Sequence, residues 1–105
     1  HVASSFDKPG VQAPEEYVRR YSHLEIPDGR KRFFAAVTRM DDAIGRLLDL
    51  LVELGLERDT LVVFFSDNGG SGNGGNAPLR GSKSTMWEGG LRVPFVARWP
   101  GRLPP

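Results

Sequence analysis

The sequence predicts an α/β protein. Three features carry that expectation: a helical-period apolar stripe from about residue 30 to residue 54, a continuous apolar run at Leu61–Phe65 a short connection later, and a second run at Val93–Ala97. A long helix followed by a short connection and a buried strand implies a sheet layered with helix, and the sheet is expected to be parallel.

The elements follow in order. His1 to Gln12 has no periodicity and carries Pro9 and Gly10, so it is expected to be loop. Ala13-Pro14-Glu15-Glu16 opens a short helix that ends near Tyr21. Proline is tolerated in a first turn, and the two glutamates complement the positive end of the helix dipole. His23 to Gly29 contains Pro27, Asp28 and Gly29 and is expected to be a linker. From about Arg30 to Leu54, apolar residues recur at Phe33, Phe34, Val37, Met40, Ile44, Leu47, Leu48, Leu51 and Leu54. Spacings of three and four place them on one stripe, with Arg32, Arg39, Arg46, Asp42, Asp49 and Glu53 free to take the other side. Gly55 is a natural stop, and Leu56 can make the apolar contact beyond it.

Leu61–Phe65 is rich in β-branched and aromatic residues, and its length suits a strand buried on both faces. Ser66 to Gly81 is glycine-rich loop. Glu88-Gly89-Gly90 is expected to make a tight turn, with Arg92 placed to pair with Glu88. Val93–Ala97 is the second strand, with Pro94 near its start, and Trp99-Pro100-Gly101 is a turn. Two strands are few for a sheet without further partners, which would leave the helix stripe partly exposed.

Composition narrows the function classes. At 105 residues the chain is one small domain's worth of sequence. A formal net charge of +1, with its arginines scattered, gives no global electrostatic support for a nucleic-acid partner. There is no cysteine, so neither a disulfide nor a cysteine metal site lies within this stretch. No apolar run nears the ~18 residues of a membrane span, and no basic-then-apolar leader is visible. The chain opens on His1 and closes on Leu103-Pro104-Pro105 as if in mid-connection, and it is read as a piece of a larger protein with no compartment assigned.

Chemistry concentrates at the end of the first apolar run. Asp67 and Asn68 are adjacent oxygen donors, suited to Ca²⁺ or Mg²⁺ rather than to a soft metal. Ligands of open α/β sheets bind beyond strand carboxyl ends, which is where this pair would sit. Asp-Asn-Gly is equally good turn chemistry. The glycines after Asn68 match neither the P-loop nor the dinucleotide fingerprint and read as a flexible loop. Lys83, in Arg80-Gly81-Ser82-Lys83-Ser84, is either solvated surface or a compact cation for an oxyanion, and Arg80 could play the same part. His23 lies in the linker with no visible partner.

Taken together, these segments resemble the sulfatases of the alkaline-phosphatase superfamily. The resemblance rests on Val62-Val63-Phe64-Phe65-Ser66-Asp67-Asn68-Gly69, Leu79-Arg80-Gly81-Ser82-Lys83, Trp87-Glu88-Gly89-Gly90-Leu91-Arg92-Val93-Pro94 and Arg98-Trp99-Pro100-Gly101, taken in order. Met40-Asp41-Asp42-Ala43-Ile44-Gly45-Arg46-Leu47 and Gln12-Ala13-Pro14-Glu15-Glu16-Tyr17 precede them as in the family. It implies that residues 1–105 are a C-terminal portion of a catalytic domain with a three-layer fold and a mostly parallel sheet. It further implies hydrolysis of a sulfate ester on a small molecule or glycan. Asp67 and Asn68 would then complete a Ca²⁺ or Mg²⁺ site, and Lys83 would contact the sulfate. A family histidine that also contacts the sulfate matches His1 at best. Ala3 stands where the family has proline, and Ser4 to Gly10 intervene before the helix. Family members are often exported, periplasmic or lysosomal.

Part of the family's equipment is not in this stretch. The family nucleophile is a formylglycine made from the cysteine or serine of a C/S-x-P-x-R motif, and the chain has no such motif. The family's first pair of metal-binding aspartates has no counterpart either. Two alternatives therefore accompany the reading: a phosphatase, phosphonate hydrolase or phosphotransferase of the same superfamily, and a non-catalytic remnant or binding module.

Overall fold

A computed structural model describes residues 10–72 and 75–104. The elements run α1 (Glu15–Arg19), α2 (Asp28–Glu53), β1 (Val62–Phe65), α3 (Glu88–Leu91) and β2 (Phe95–Arg98). The chain divides into two compact units, His1–Gly45 and Arg46–Pro105, and α2 begins in the first and ends in the second.

In the first unit, α1 starts where the sequence predicts. The Pro14 carbonyl accepts the amides of Tyr17 and Val18 at 3.0 and 3.2 Å, and Glu15 and Glu16 fill the first turn. Tight i to i+3 bonds then carry the chain to Leu24. Helix α2 starts earlier than its apolar stripe implies, at Asp28 rather than Arg30. The Pro27 carbonyl takes the amides of Arg30 and Lys31 at 2.9 and 3.1 Å. Asp28 sits in the first turn with its charge at the positive end of the dipole. The linker therefore stops at Pro27. Tyr21 packs on Phe34 with ring centroids 5.6 Å apart, and its hydroxyl pairs with that of Thr38. Arg20 reaches Asp42 at 3.7 Å. Ala35 and Ala36 are the buried apolar residues among those described.

In the second unit, α2 ends as expected. Gly55 has φ +68°, its amide bonds the Val52 carbonyl at 2.9 Å, and the Leu56 amide bonds the Leu51 carbonyl at 2.8 Å. This pair of bonds is the Schellman closure, which needs a left-handed residue where glycine carries no Cβ penalty. Leu47 and Leu54 remain 52% and 60% exposed, in line with the expected partial exposure of the stripe.

The two strands correct two expectations. They pair antiparallel, with Val62 opposite Arg98, Val63 opposite Ala97, Phe64 opposite Val96 and Phe65 opposite Phe95. Parallel pairing needs a crossover, commonly a long helix. The segment between these strands instead folds back through loops and the single turn α3. An antiparallel strand beside an otherwise parallel sheet is common in α/β folds. The strands are also exposed rather than sandwiched, with Phe65 at 61% and Phe95 at 67%. Among the described residues each strand has one neighbour. The rings of Phe65 and Phe95 stack 6.2 Å apart, a cross-strand contact worth about 0.2–1 kcal/mol.

The strand pair is anchored at its far end. Arg98 bonds Glu57 at 3.4 Å, and the Trp99 indole donates to the Arg58 carbonyl at 2.7 Å. The Trp99 carbonyl then accepts the amides of Arg102 and Leu103, closing the expected turn. Glu88-Gly89-Gly90 is a turn of helix, α3, rather than a simple tight turn. The Trp87 carbonyl accepts the amides of Gly90 and Leu91, and the Glu88 carbonyl accepts that of Arg92. Arg92 and Glu88 pair at 3.7 Å, both well exposed. No helix among the described residues is long and apolar enough to cross a membrane.

Candidate functional site

Strand β1 delivers Ser66, Asp67 and Asn68 to its carboxyl end. The Ser66 amide bonds the Pro94 carbonyl at 3.3 Å, extending the register with β2 by one bond. The Ser66 hydroxyl donates to the Asn68 carbonyl at 2.8 Å, and the Asn68 side-chain amide donates to the Gly69 carbonyl at 3.0 Å. These bonds shape the turn that the Asp-Asn-Gly sequence implies. They leave the Asn68 Oδ1 atom and the exposed Asp67 carboxylate with no side-chain hydrogen bond or ion pair among the described residues.

The turn then enters a layer of backbone packed on backbone. The Gly69 amide donates to the Gly90 carbonyl at 3.0 Å, and the Gly89 amide to the Arg80 carbonyl at 2.8 Å. Gly69, Gly89 and Gly90 are buried. A Cβ on Gly89 would meet the Gly81 carbonyl oxygen at 2.3 Å, and one on Gly90 the Thr85 carbonyl oxygen at 2.3 Å. Glycines are required here because the chains approach closer than any side chain permits.

This layer carries the Lys83 loop. The Lys83 amide donates to the Gly70 carbonyl at 3.2 Å, so the lysine backbone lies against the chain just beyond Asn68. Thr85 fixes the loop's own shape, its hydroxyl donating to the Ser82 carbonyl at 2.7 Å and accepting the Ser82 amide at 3.1 Å. The Lys83 ammonium is exposed, with no ion pair among the described residues. Arg80 differs. Its guanidinium lies 3.6 Å from the centroid of the Trp87 ring, a cation–π contact that holds it on the residue just before α3.

Asp67, Asn68 and Lys83 are thus brought into one loop cluster. His1 lies outside the described residues. Nothing in the sequence distinguishes Asn76, yet its side chain makes three bonds across the cluster. It accepts the Gly70 amide at 2.7 Å and donates to the Gly70 and Gly81 carbonyls at 2.8 and 3.2 Å. An asparagine in a glycine-rich loop carries no distinguishing signal without the positions of its partners.

The arrangement suits a hard divalent cation in chemistry but not in number. A carboxylate and an amide oxygen are appropriate donors, whereas Ca²⁺ takes roughly six to eight oxygens. Among the described residues no group of three His, Cys, Asp or Glu side chains could hold a metal.

Comparison with known proteins decides the family. The family model described as Sulfatase matches residues 4–105. The chain belongs to the sulfatase family. It is 41% identical over 80 residues to mouse N-acetylgalactosamine-6-sulfatase, covering 70% of this chain and 15% of that protein. It is 48% identical over 80 residues to mouse steryl-sulfatase, covering 67% of this chain and 13% of that one. Human steryl-sulfatase is 36% identical over 118 aligned residues, covering 93% and 20%. This sulfatase segment also superposes on the crystal structure of Ps i-CgsB in complex with k-i-k-neocarrahexaose. The TM-score is 0.85 at 33% identity, covering 96% of this chain and 22% of that one. The α/β class holds, and the chain spans about 15% of the length of the first of these sulfatase relatives.

Proposed function

We propose that the protein carrying this chain hydrolyses a sulfate ester, and that the chain supplies one metal-binding edge and one sulfate-binding cation to its active site. The observation that carries the reading is the bond from the Lys83 amide to the Gly70 carbonyl, 3.2 Å long, in a chain of the sulfatase family. It holds an exposed lysine beside the strand end that bears two hard oxygen donors.

Residues 1–105 are, in this reading, part of a sulfatase catalytic domain whose nucleophile lies outside them. Asp67 and Asn68 hold a Ca²⁺ or Mg²⁺ ion together with ligands from elsewhere in the protein. Such an ion, when bound, stabilises negative charge on oxygen as a Lewis acid. Asp67 contributes charge and Asn68 a neutral oxygen, oriented because its amide nitrogen is already committed to Gly69. Lys83 meets a sulfate oxygen as a point charge. Its backbone is fixed before the substrate arrives, so little reorganisation opposes charge stabilisation. His1 is a second sulfate contact in the same reading, and formylglycine is the expected nucleophile. The substrate is a sulfated small molecule or glycan.

The test is steady-state hydrolysis by the full-length protein of an aryl sulfate and of the matching aryl phosphate. Preferential release of sulfate is expected. Turnover of the phosphate alone, or of neither ester by folded, metal-loaded protein, would sink the reading.

A further inference from the structure

Asn76 ties together the two ends of the glycine-rich loop. Its Oδ1 accepts the Gly70 amide and its Nδ2 donates to the Gly70 carbonyl, so one side chain engages both polar groups of one residue. The same Nδ2 donates to the Gly81 carbonyl. The Gly70 carbonyl has a second donor, the Lys83 amide. Gly70 follows Asn68 by two positions and Gly81 precedes Lys83 by two. Asn76 is half-buried, and the three bonds fix its amide orientation because only nitrogen donates and only oxygen accepts.

We propose that Asn76 is a positioning residue, setting the register of Lys83 against the Asp67-Asn68 strand end and thereby the placement of the ammonium for an anionic oxygen. The inference rests on the proposed function for what Lys83 binds, and on the hydrogen bonds alone for the tether. Gly69, Gly70 and Gly72 give this loop unusual backbone freedom. A bond between two main chains can slide by a residue in such a loop. A side-chain amide that grips the amide and carbonyl of one glycine cannot. Aspartate would reproduce the shape and one acceptor, but would turn a carboxylate oxygen toward the Gly70 and Gly81 carbonyls.

The experiment is a double-substitution cycle of Asn76→Asp and Lys83→Ala in the full-length protein, read with an aryl sulfate and with thermal melting as fold control. The N76D protein is expected to melt cooperatively and to lose about tenfold to a hundredfold in kcat/KM. In the K83A background the same change is expected to cost less than about twofold, because the group it positions is gone. Equal losses in both backgrounds, or unchanged kcat/KM in folded N76D, overturn the proposal. If N76D does not melt cooperatively, Asn76→Ser enters the same cycle under the same criteria. A wild-type protein without sulfatase activity, or K83A with full activity, rejects the proposed function instead. Hydrogen exchange at the Lys83 amide then decides on Asn76: faster exchange in N76D supports the tether, and unchanged protection overturns it.

Discussion

A Cβ atom on Gly69 would lie 1.7 Å from the carbonyl oxygen of Gly89. The obstacle is backbone, not the end of a flexible side chain, so it cannot swing aside. Gly69 directly follows the Asp67-Asn68 pair, and Gly89 sits in α3, so this contact seats the strand end on the helical turn. Gly69→Ala must therefore separate the two segments. The expected cost is at least about 1–3 kcal/mol, the range for overpacking a closed site. Urea unfolding of the full-length protein measures it. A change below about 0.5 kcal/mol, the usual scatter of surface substitutions, would mean that the two backbones are not in contact.

Gly55 offers a contrasting case. A Cβ there meets nothing within 4 Å, so space is not the constraint. The constraint is its φ of +68°. Gly55→Ala is expected to cost about 1–2 kcal/mol from left-handed strain. Gly55→Asn should cost less, because asparagine visits that region more readily. Comparing the two variants by thermal unfolding separates conformational strain from crowding. Equal losses for Ala and Asn would contradict the strain account.

These two glycines also mark where the sequence was legible. Gly55 could be read because its signal is local: an apolar stripe ends, and a left-handed stop with a leucine beyond it follows. The body of α2, though not its start at Asp28, and the presence of β1 and β2 were legible for the same reason. Gly69, Gly89 and Asn76 were not, because what each touches is set by how the glycine-rich loop folds against itself and against α3. The antiparallel pairing escaped as well. Two apolar runs fix the existence of strands but not their direction, which depends on how the intervening segment folds back. Asp67, Asn68 and Lys83 stand out singly in the sequence, but their proximity rests on the Gly70–Lys83 bond and the Asn76 bonds, which no local pattern reveals.

Lys83 carries the sharpest functional expectation. In the full-length protein Lys83→Ala should lower kcat/KM by about 10²–10³-fold, as for loss of one preorganised group stabilising developing charge. Its ammonium has no ion pair among the described residues, so the melting temperature should hardly move. Lys83→Arg should recover only part of the activity, since a planar fork replaces a point charge. An unchanged rate in K83A would remove Lys83 from the site.

The metal role proposed for Asp67 predicts metal dependence. Chelation of divalent ions from the full-length protein should abolish turnover, and Ca²⁺ or Mg²⁺ should restore it. Asp67→Asn keeps the shape and removes the charge. It should weaken cation binding, read by calorimetry, and demand more added metal for the same rate. Turnover that survives exhaustive chelation, with D67N binding cation like wild type, would leave the Asp67-Asn68 pair a turn and nothing more.

The chain alone should not turn over a sulfate ester. It has no cysteine and no Ser-x-Pro-x-Arg from which the family's nucleophile could form. Asp67 and Asn68 supply two oxygens where a Ca²⁺ site takes roughly six to eight. Lys83 could still hold an anion weakly, but binding alone breaks no S–O bond. An arylsulfatase assay on the purified 105-residue chain, with Ca²⁺ and Mg²⁺ present, is expected to stay at background. The full-length protein is the positive control. Activity in the isolated chain that survives repurification and falls in the K83A variant would require a nucleophile among these residues. Ser66, whose hydroxyl is held at the same strand end, would be the first to examine.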